Sequence, residues 1–177
     1  MKNNKLEKSL NKLFSNSGYK MVDVSEKNIT HRKALAAGEI VLTSEIINLI
    51  KNKKMPQGDP LSIAEVSGIN GVIKTSDLIP LCHPLPLDHI SLHTEINEKK
   101  NSIVVYCLVS ANSKTGVEME ALSGVSSALL AIYDLSKIID PNLKISNTKL
   151  LVKSGGKKGL WTNPDGIPEK IKNILKI

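Results

Sequence analysis

The sequence has little of the residues on which several protein classes depend. Only two of its 177 residues are cysteine, Cys82 and Cys107, which is too few for a disulfide scaffold or a four-cysteine zinc site. No segment approaches the ~18 uninterrupted apolar residues of a membrane-spanning helix, and the lysine-rich start has no apolar block like that of a secretory signal. We therefore expect a cytoplasmic protein with two reduced thiols and no membrane partner.

Arginine and aromatic side chains are also scarce. Arg32 is the only arginine among 24 basic residues, and the chain has one Trp, one Phe and three Tyr. Nucleic-acid-binding proteins usually rely on bidentate arginine contacts and aromatic stacking, so the sequence disfavours a nucleic-acid partner despite its net charge of +7. A phosphorylated small molecule or an acidic lipid also accounts for such a charge.

The residues that are present indicate one domain with a buried core. Apolar residues make up 41% and charged residues 23%, an ordinary globular composition. Helix-start signals occur at Ser44 and at Asp59 with Pro60, and a third helical pattern follows Gly116. Predicted helices cover 44–50, 60–74 and 117–139, and predicted strands cover 21–24, 34–42, a hairpin within 88–111, and 143–152. These elements predict an α+β fold, an antiparallel sheet with helices packed on one face.

Two clusters of charge indicate where chemistry takes place. The loop at 153–159 reads KSGGKKG, and its ammonium groups and free backbone amides suit a phosphate, although the spacing of a P-loop is absent. A solvated basic loop is the alternative. Asp134 and Lys137 lie three residues apart, on one face of the longest predicted helix. They predict either a surface salt bridge or an acid/base pair, in which partial desolvation lowers the lysine pKa towards neutrality.

Other ionisable residues have two interpretations each. Glu118 and Glu120 lie near a helix start, where carboxylates are favourable in any case. His83 lies in an apolar, proline-rich segment, which favours either a substrate contact or a histidine satisfied in the core. His89 and His93 have a spacing found in metal sites, but on a strand it places them roughly 13 Å apart, too far to share an ion. No metal ligands are therefore predicted.

Six short strings occur in one order along the chain. They are MVDVS at 21–25, GDPL at 58–61, LIPLCHPL at 78–85, KTGVEMEAL at 114–122, IYD at 132–134 with Lys137, and KSGGK at 153–157. Over about residues 19–159 the chain resembles the cyclic pyranopterin monophosphate synthase (MoaC) family of molybdenum cofactor biosynthesis. The resemblance divides the chain into an N-terminal extension at 1–18, predicted to be helical, a MoaC-like catalytic domain at 19–159, and a C-terminal tail at 160–177.

The resemblance implies a fold, an assembly and a reaction. The fold is a ferredoxin-like α+β subunit, and the assembly is a homohexamer of three dimers with active sites at subunit interfaces. The reaction is that of a lyase, which converts 3′,8-cyclo-7,8-dihydroguanosine 5′-triphosphate to cyclic pyranopterin monophosphate and diphosphate. Magnesium could accompany the triphosphate, and no other cofactor is implied.

The resemblance also implies roles for individual residues. Asp134 and Lys137 are the implied catalytic pair. The residues implied to line the pterin-precursor pocket are Leu81, Cys82, His83, Met119 and Glu120. Arg32 and Lys153 match basic positions expected to hold the triphosphate.

Two positions depart from the family pattern. Gln57 and Ile73 stand where members usually have lysine, and neither side chain transfers a proton as an ammonium does. Lys54 or Lys74 could take over that task. The alternative hypothesis is a degenerate, non-catalytic relative that binds the substrate without converting it.

Overall fold

A five-stranded antiparallel sheet organises the chain. The computed structural model describes residues 9–14, 18–157 and 159–176. Its strands are β1 (Thr30–Val41), β2 (His89–Asn97), β3 (Ser102–Ser113), β4 (Lys144–Ser154) and β5 (Trp161–Thr162). Its helices are α1 (Ser44–Lys51), α2 (Pro60–Ile73), α3 (Thr75–Leu78), α4 (Glu118–Ser136) and α5 (Glu169–Leu175). The strand order is β2-β3-β1-β4-β5, and its first four members have the βαββαβ arrangement of a ferredoxin-like fold. The predicted α+β fold is confirmed.

The first two helices begin where the capping signals predict. The Thr43 hydroxyl accepts a hydrogen bond from the Ile46 amide at 3.3 Å, so the cap of α1 lies one residue before the predicted start. Asp59 accepts from the Leu61 amide at 3.0 Å, and Pro60 occupies the first helical position, where its missing N–H costs nothing. Residues 9–13 of the N-terminal extension are also helical, and the remainder of that predicted helix lies outside the described residues. No described helix is long and apolar enough to cross a membrane.

The hairpin predicted within 88–111 is confirmed as β2 and β3. Its turn includes a short 3₁₀ segment at Glu98–Lys100, and Asn101 closes it with a φ of 47°, in the left-handed region that asparagine tolerates. Along β3 alternate side chains are buried against the helices, namely Ile103, Val105, Cys107, Val109 and Ala111. This period of two places one face of the sheet under α2 and α4.

Small residues allow α2 and α4 to approach each other and the sheet closely. A Cβ added at Gly124 would lie 2.6 Å from the Cys107 Sγ and 2.6 Å from the Val72 Cγ2. A Cβ on Gly71 would collide with the Ser127 side chain. The helical layer therefore fits its neighbours only because these positions have no side chain.

Replacing Gly124 with alanine should therefore destabilise the protein, even though alanine is the better helix former by about 1 kcal/mol. Overpacking against Cys107 and Val72 is expected to lower the free energy of unfolding by about 1–3 kcal/mol. Urea unfolding measures this change, and the exposed Ser126→Ala on the same helix is the control, with an expected change within about 0.5 kcal/mol. A more stable Gly124→Ala protein would contradict the close packing.

The strand predicted at 21–24 is wrong. Those residues have no regular structure, and the Asp23 carboxylate accepts a hydrogen bond from the Ser25 amide at 2.8 Å. This local turn follows the segment, and no strand of the described sheet pairs with it. The strand predicted to begin at 34 instead begins at Thr30, because its polar first residues pair with the end of β3.

The opposite face of the sheet carries a second, smaller core. Ala37, Leu151 and Val152 from β1 and β4 pack there with Ile167 and Ile171, which come from the C-terminal tail. The tail therefore contains β5 and α5 and folds back over the sheet.

Candidate active site

Two adjoining cavities lie beside the start of α4. One, the anion cleft, has a volume of about 830 Å³, and its lining includes Arg32, Lys153, Gly155, Gly156 and Lys157. The other, the apolar pocket, has a volume of about 490 Å³, and its lining includes Ile79, Leu81, Cys82, His83, Met119 and Glu120. Gly116 and Glu118 line both. A charged compartment therefore adjoins a largely apolar one.

Arg32 is fixed in the anion cleft by backbone contacts. Its guanidinium donates hydrogen bonds to the carbonyl oxygens of Lys114, at 3.3 Å, and Ser113, at 3.5 Å. A Cβ on Gly156 would collide with this guanidinium, so the basic loop packs directly against it. Gly155 and Gly156 have φ angles of 98° and 71°, which glycine adopts without strain. The glycines of KSGGK thus let the loop come within contact of the arginine.

Lys153 forms an ion pair across the same cleft. Its Nζ lies 2.8 Å from the Glu118 Oε1, and the two side chains are 35% and 28% exposed. Glu118 belongs to the first turn of α4, where a carboxylate is favoured by the helix dipole. The carboxylate therefore also holds the ammonium of a lysine 35 residues away in the chain.

The apolar pocket contains a strained residue in LIPLCHPL. Leu81 has a φ of 63°, in the left-handed region that non-glycine residues rarely adopt. The Cys82 and His83 side chains that follow are half-buried. Burial raises the pKa of the Cys82 thiol, and the nearby Glu120 raises it further, so this cysteine is not activated as a nucleophile.

Glu120 is the most buried carboxyl group of the site, with 3% of its surface exposed. Its burial raises the pKa above the ordinary 4.5, and Glu118 contributes by repulsion. A protonated carboxyl donates a hydrogen bond as well as accepting one, so a raised pKa at Glu120 favours a group that can do both.

Substituting Glu120 with glutamine should change the pH dependence of stability. A buried acid with a raised pKa favours the protonated folded state, so its penalty appears as the pH rises above about 4.5 and is complete above the folded-state pKa. Glu120→Gln is therefore expected to unfold at a higher temperature than the native protein at neutral pH, and at nearly the same temperature at pH 3.5. Thermal unfolding across this range measures the difference, and equal differences at both pH values would contradict the assignment.

The structure does not bring Asp134 and Lys137 to these cavities within one chain. Fourteen residues separate Glu120 from Asp134 on α4, which corresponds to about 21 Å along the helix. The Lys137 Nζ and the Asp134 Oδ1 form an ion pair at 2.6 Å, with 54% and 67% of the two side chains exposed. The hydrogen bond to Asp134 raises the pKa of Lys137. Of the two interpretations of this pair, the single chain shows the surface salt bridge, because the ammonium is exposed and its pKa is raised; the acid/base role stays a prediction.

The departures from the family pattern lie outside the described cavities. Gln57 is exposed in the loop before α2, and Ile73 is 57% exposed at the end of that helix. Lys74 pairs with Asp77 at 3.4 Å. In the described part of the chain, Gln57, Ile73 and Lys74 do not line either of the two cavities.

Several residues of the site were not predicted from the sequence. Thr30 lines the anion cleft, and its buried hydroxyl has no partner among the described residues. The two-residue period of β1 relates Thr30 to Arg32, but the predicted strand began at 34 and so missed this signal. Lys27, Asn28 and Lys33 line the same cleft. Lys158, part of the predicted basic loop, lies outside the described residues.

The other predicted features have simple placements. His89 and His93 lie four residues apart on β2, as predicted, and the His93 Nε2 lies 3.2 Å from the Glu95 Oε1. Across residues 9–14, 18–157 and 159–176, no group of three or more His, Cys, Asp or Glu side chains is arranged to hold a metal ion.

Fold and site together define a ferredoxin-like α+β protein with a cationic cleft beside an apolar pocket. The MoaC family model matches residues 21–156, and the chain belongs to the MoaC family.

Curated relatives of the chain share a name. A protein of Thermomicrobium roseum called cyclic pyranopterin monophosphate synthase is 41% identical over 146 residues, which cover 82% of this chain and 88% of that protein. Proteins of the same name from Chloroflexus aurantiacus and Clostridium perfringens are 42% identical over 145 residues and 47% identical over 147. These alignments cover 82% of this chain in both cases, and 89% and 93% of the relatives.

Proposed function

We propose that this chain is a lyase of molybdenum cofactor biosynthesis. In this proposal it converts 3′,8-cyclo-7,8-dihydroguanosine 5′-triphosphate to cyclic pyranopterin monophosphate and diphosphate. The observation that carries the proposal is that the anion cleft and the apolar pocket adjoin and share Gly116 and Glu118 in their linings. Such a site accommodates one molecule with a triphosphate at one end and a purine-derived ring at the other.

The anion cleft supplies what the departure of diphosphate requires. When a substrate oxygen bonds to the α-phosphorus, the bond from that phosphorus to the bridging oxygen breaks, and diphosphate leaves with the bonding electron pair. Arg32 and Lys153 are cations at the cleft where this charge develops, and Gly155 and Gly156 beside them have the positive φ angles that can turn backbone amides toward an anion. We expect Mg²⁺ to enter on the triphosphate oxygens.

The apolar pocket supplies the contacts for the ring. His83 and Glu120 are polar groups in a cavity whose other walls include Leu81, Cys82 and Met119. A few convergent polar groups in an apolar pocket fix the orientation of a ligand. The strained backbone of Leu81 is consistent with a segment held for binding.

Proton transfer is assigned to Asp134 and Lys137 of a neighbouring copy. The pair is exposed and about 21 Å along α4 from Glu120, so one chain by itself does not complete the site. Exposed apolar side chains on the outer surface of the helical layer support assembly, namely Ile63, Val66 and Ile73 on α2 and Leu130 on α4. We place the chain in a cytoplasmic homohexamer of three dimers, and the unpaired thiols of Cys82 and Cys107 agree with that compartment.

A direct assay tests the proposed function. The purified protein is incubated with the cyclic nucleotide triphosphate and Mg²⁺, and the pterin product and diphosphate are quantified by chromatography. We expect the two products in equal amounts, and light scattering is expected to give the mass of six chains. Binding of the triphosphate without any product, under conditions where the Clostridium perfringens relative is active, would refute the proposal and favour the degenerate alternative.

A further inference from the structure

We propose that the C-terminal segment beyond the family match, β5 and α5, positions the basic loop of the anion cleft. The proposal rests on the function proposed above. The basic loop is the connection between β4 and β5, and it supplies Gly155, Gly156, Lys157 and Gly159 to the cleft. The family match ends at residue 156, inside this loop. The second half of the loop and the elements that hold it are therefore features of this chain outside that match.

The chain returns from the loop onto β4 and is fastened there. Trp161 pairs with Lys153 and Thr162 with Val152 in an antiparallel ladder. Asn163 continues the attachment, because its backbone amide donates to the Leu151 carbonyl at 2.8 Å and its side-chain amide donates to the Leu150 carbonyl at 2.7 Å. The loop is thus closed at both ends on the strand that carries Lys153.

Helix α5 keeps this attachment in place from the far face of the sheet. Ile167 and Ile171 are buried against Ala37, Leu151 and Val152. Lys170 pairs with Glu95, and its Nζ lies 4.5 Å from the centre of the Tyr106 ring. The anion cleft therefore lies at the start of β1 and the end of β4. Helix α5 packs on the face of these same two strands that is turned away from α2 and α4.

Closure of the loop affects substrate binding through preorganisation. Gly155 and Gly156 have left-handed φ angles, and the loop packs against Arg32. A loop tethered at one end would lose conformational entropy when a phosphate binds, and this loss would weaken the affinity. A loop tethered at both ends loses less freedom. β5 and α5 are accordingly positioning elements, and we expect them to act on the affinity for the triphosphate more than on the chemical step.

Undocking α5 tests this inference. The Ile171→Asp variant places a charge in the second core. We expect its affinity for inorganic diphosphate, measured by calorimetry, to fall about tenfold, its KM to rise by a similar factor, and its kcat to stay within about twofold. Hydrogen exchange of the amides at 153–157 should become faster. The Ile171→Val variant keeps an apolar side chain in the second core, so its affinity, KM and exchange rates should match those of the native protein. Lys172→Ala is the control, since Lys172 pairs with Glu169 inside α5 and its loss should leave the same values unchanged.

A second variant covers the case in which Ile171→Asp fails to fold. Asn163→Ala removes the side-chain bond to Leu150 while the apolar core stays intact, and we expect a smaller change of the same sign. Faster hydrogen exchange of the α5 amides would show that α5 is undocked in a folded variant. If the diphosphate affinity and the exchange of the loop amides were unchanged in that variant, the inference would be overturned. Neither diphosphate binding nor exchange needs turnover. A native protein without synthase activity would refute the proposed function, and these two measurements would still decide whether α5 orders the loop.

Discussion

The Lys137→Ala variant is expected to lose roughly 10²- to 10⁴-fold in kcat, the usual contribution of a positioned acid or base. Its affinity for diphosphate is expected to stay within about twofold, because Arg32 and Lys153 line the anion cleft and Lys137 is assigned to proton transfer. Lys51→Ala is a matched control, because Lys51 also belongs to an exposed ion pair, with its Nζ 2.8 Å from the Glu98 Oε1. Steady-state kinetics and calorimetry make both measurements. Equal activity of the two variants would remove Lys137 from the chemistry.

Mixing two inactive variants identifies which chain supplies the lysine. Lys137→Ala lacks the proposed acid, and Lys153→Ala lacks a cation of the cleft. If each site combines groups from two copies, random reassembly at equal amounts should restore about a quarter of the sites. If each site uses one chain, the mixture should remain as inactive as its components. The recovered rate after unfolding and refolding the mixture distinguishes these results, and the refolded native protein serves as the reference.

The Lys153→Ala variant is expected to lose roughly 10²- to 10³-fold in kcat/KM, because the departing diphosphate loses a cation in a partly enclosed cleft. Its affinity for diphosphate should fall as well, unlike that of Lys137→Ala. The loss should shrink as the ionic strength rises, since salt screens the native protein's advantage. Kinetics at two salt concentrations check this expectation.

Lys144→Ala provides the comparison on the same strand. Lys144 is exposed at the opposite end of β4, and its removal changes the net charge equally. We expect it to leave kcat/KM within about twofold. Similar losses in both lysine variants would mean that general positive charge, and no particular site, attracts the substrate.

The parts of the fold that were predicted from the sequence depend on local signals. The helix start at Ser44, the cap at Asp59 and the hairpin turn near Asn101 all have their cause within a few residues of the chain. The misassigned strand at 21–24 had the right apolar residues but no neighbouring strand to pair with, which no local pattern reveals. The docking of α5 also escaped prediction, because Ile171 in this short helix and Ile167 before it form too little periodicity among polar neighbours.

The site was predictable to the extent that it consists of short strings. LIPLCHPL and KTGVEMEAL both contribute to one pocket, and the basic loop joins Arg32 in one cleft. The pairing of Lys153 with Glu118 depends on how β4 meets the start of α4, and the exposure of Lys137 depends on which surface of α4 faces outward. Both are properties of tertiary packing, so residue spacing alone did not reveal them.

The Glu118 carboxylate has a consequence for discrimination among ligands. It occupies Lys153 as a resident counterion, so an arriving anion must first displace it. A single inorganic phosphate would only replace the Glu118 carboxylate as the anion beside Lys153, so the exchange would gain little binding free energy. A polyphosphate that also reaches Arg32 and the glycine loop would gain more contacts in the same exchange. We therefore expect the Glu118 carboxylate to make the cleft select polyphosphates over simple anions.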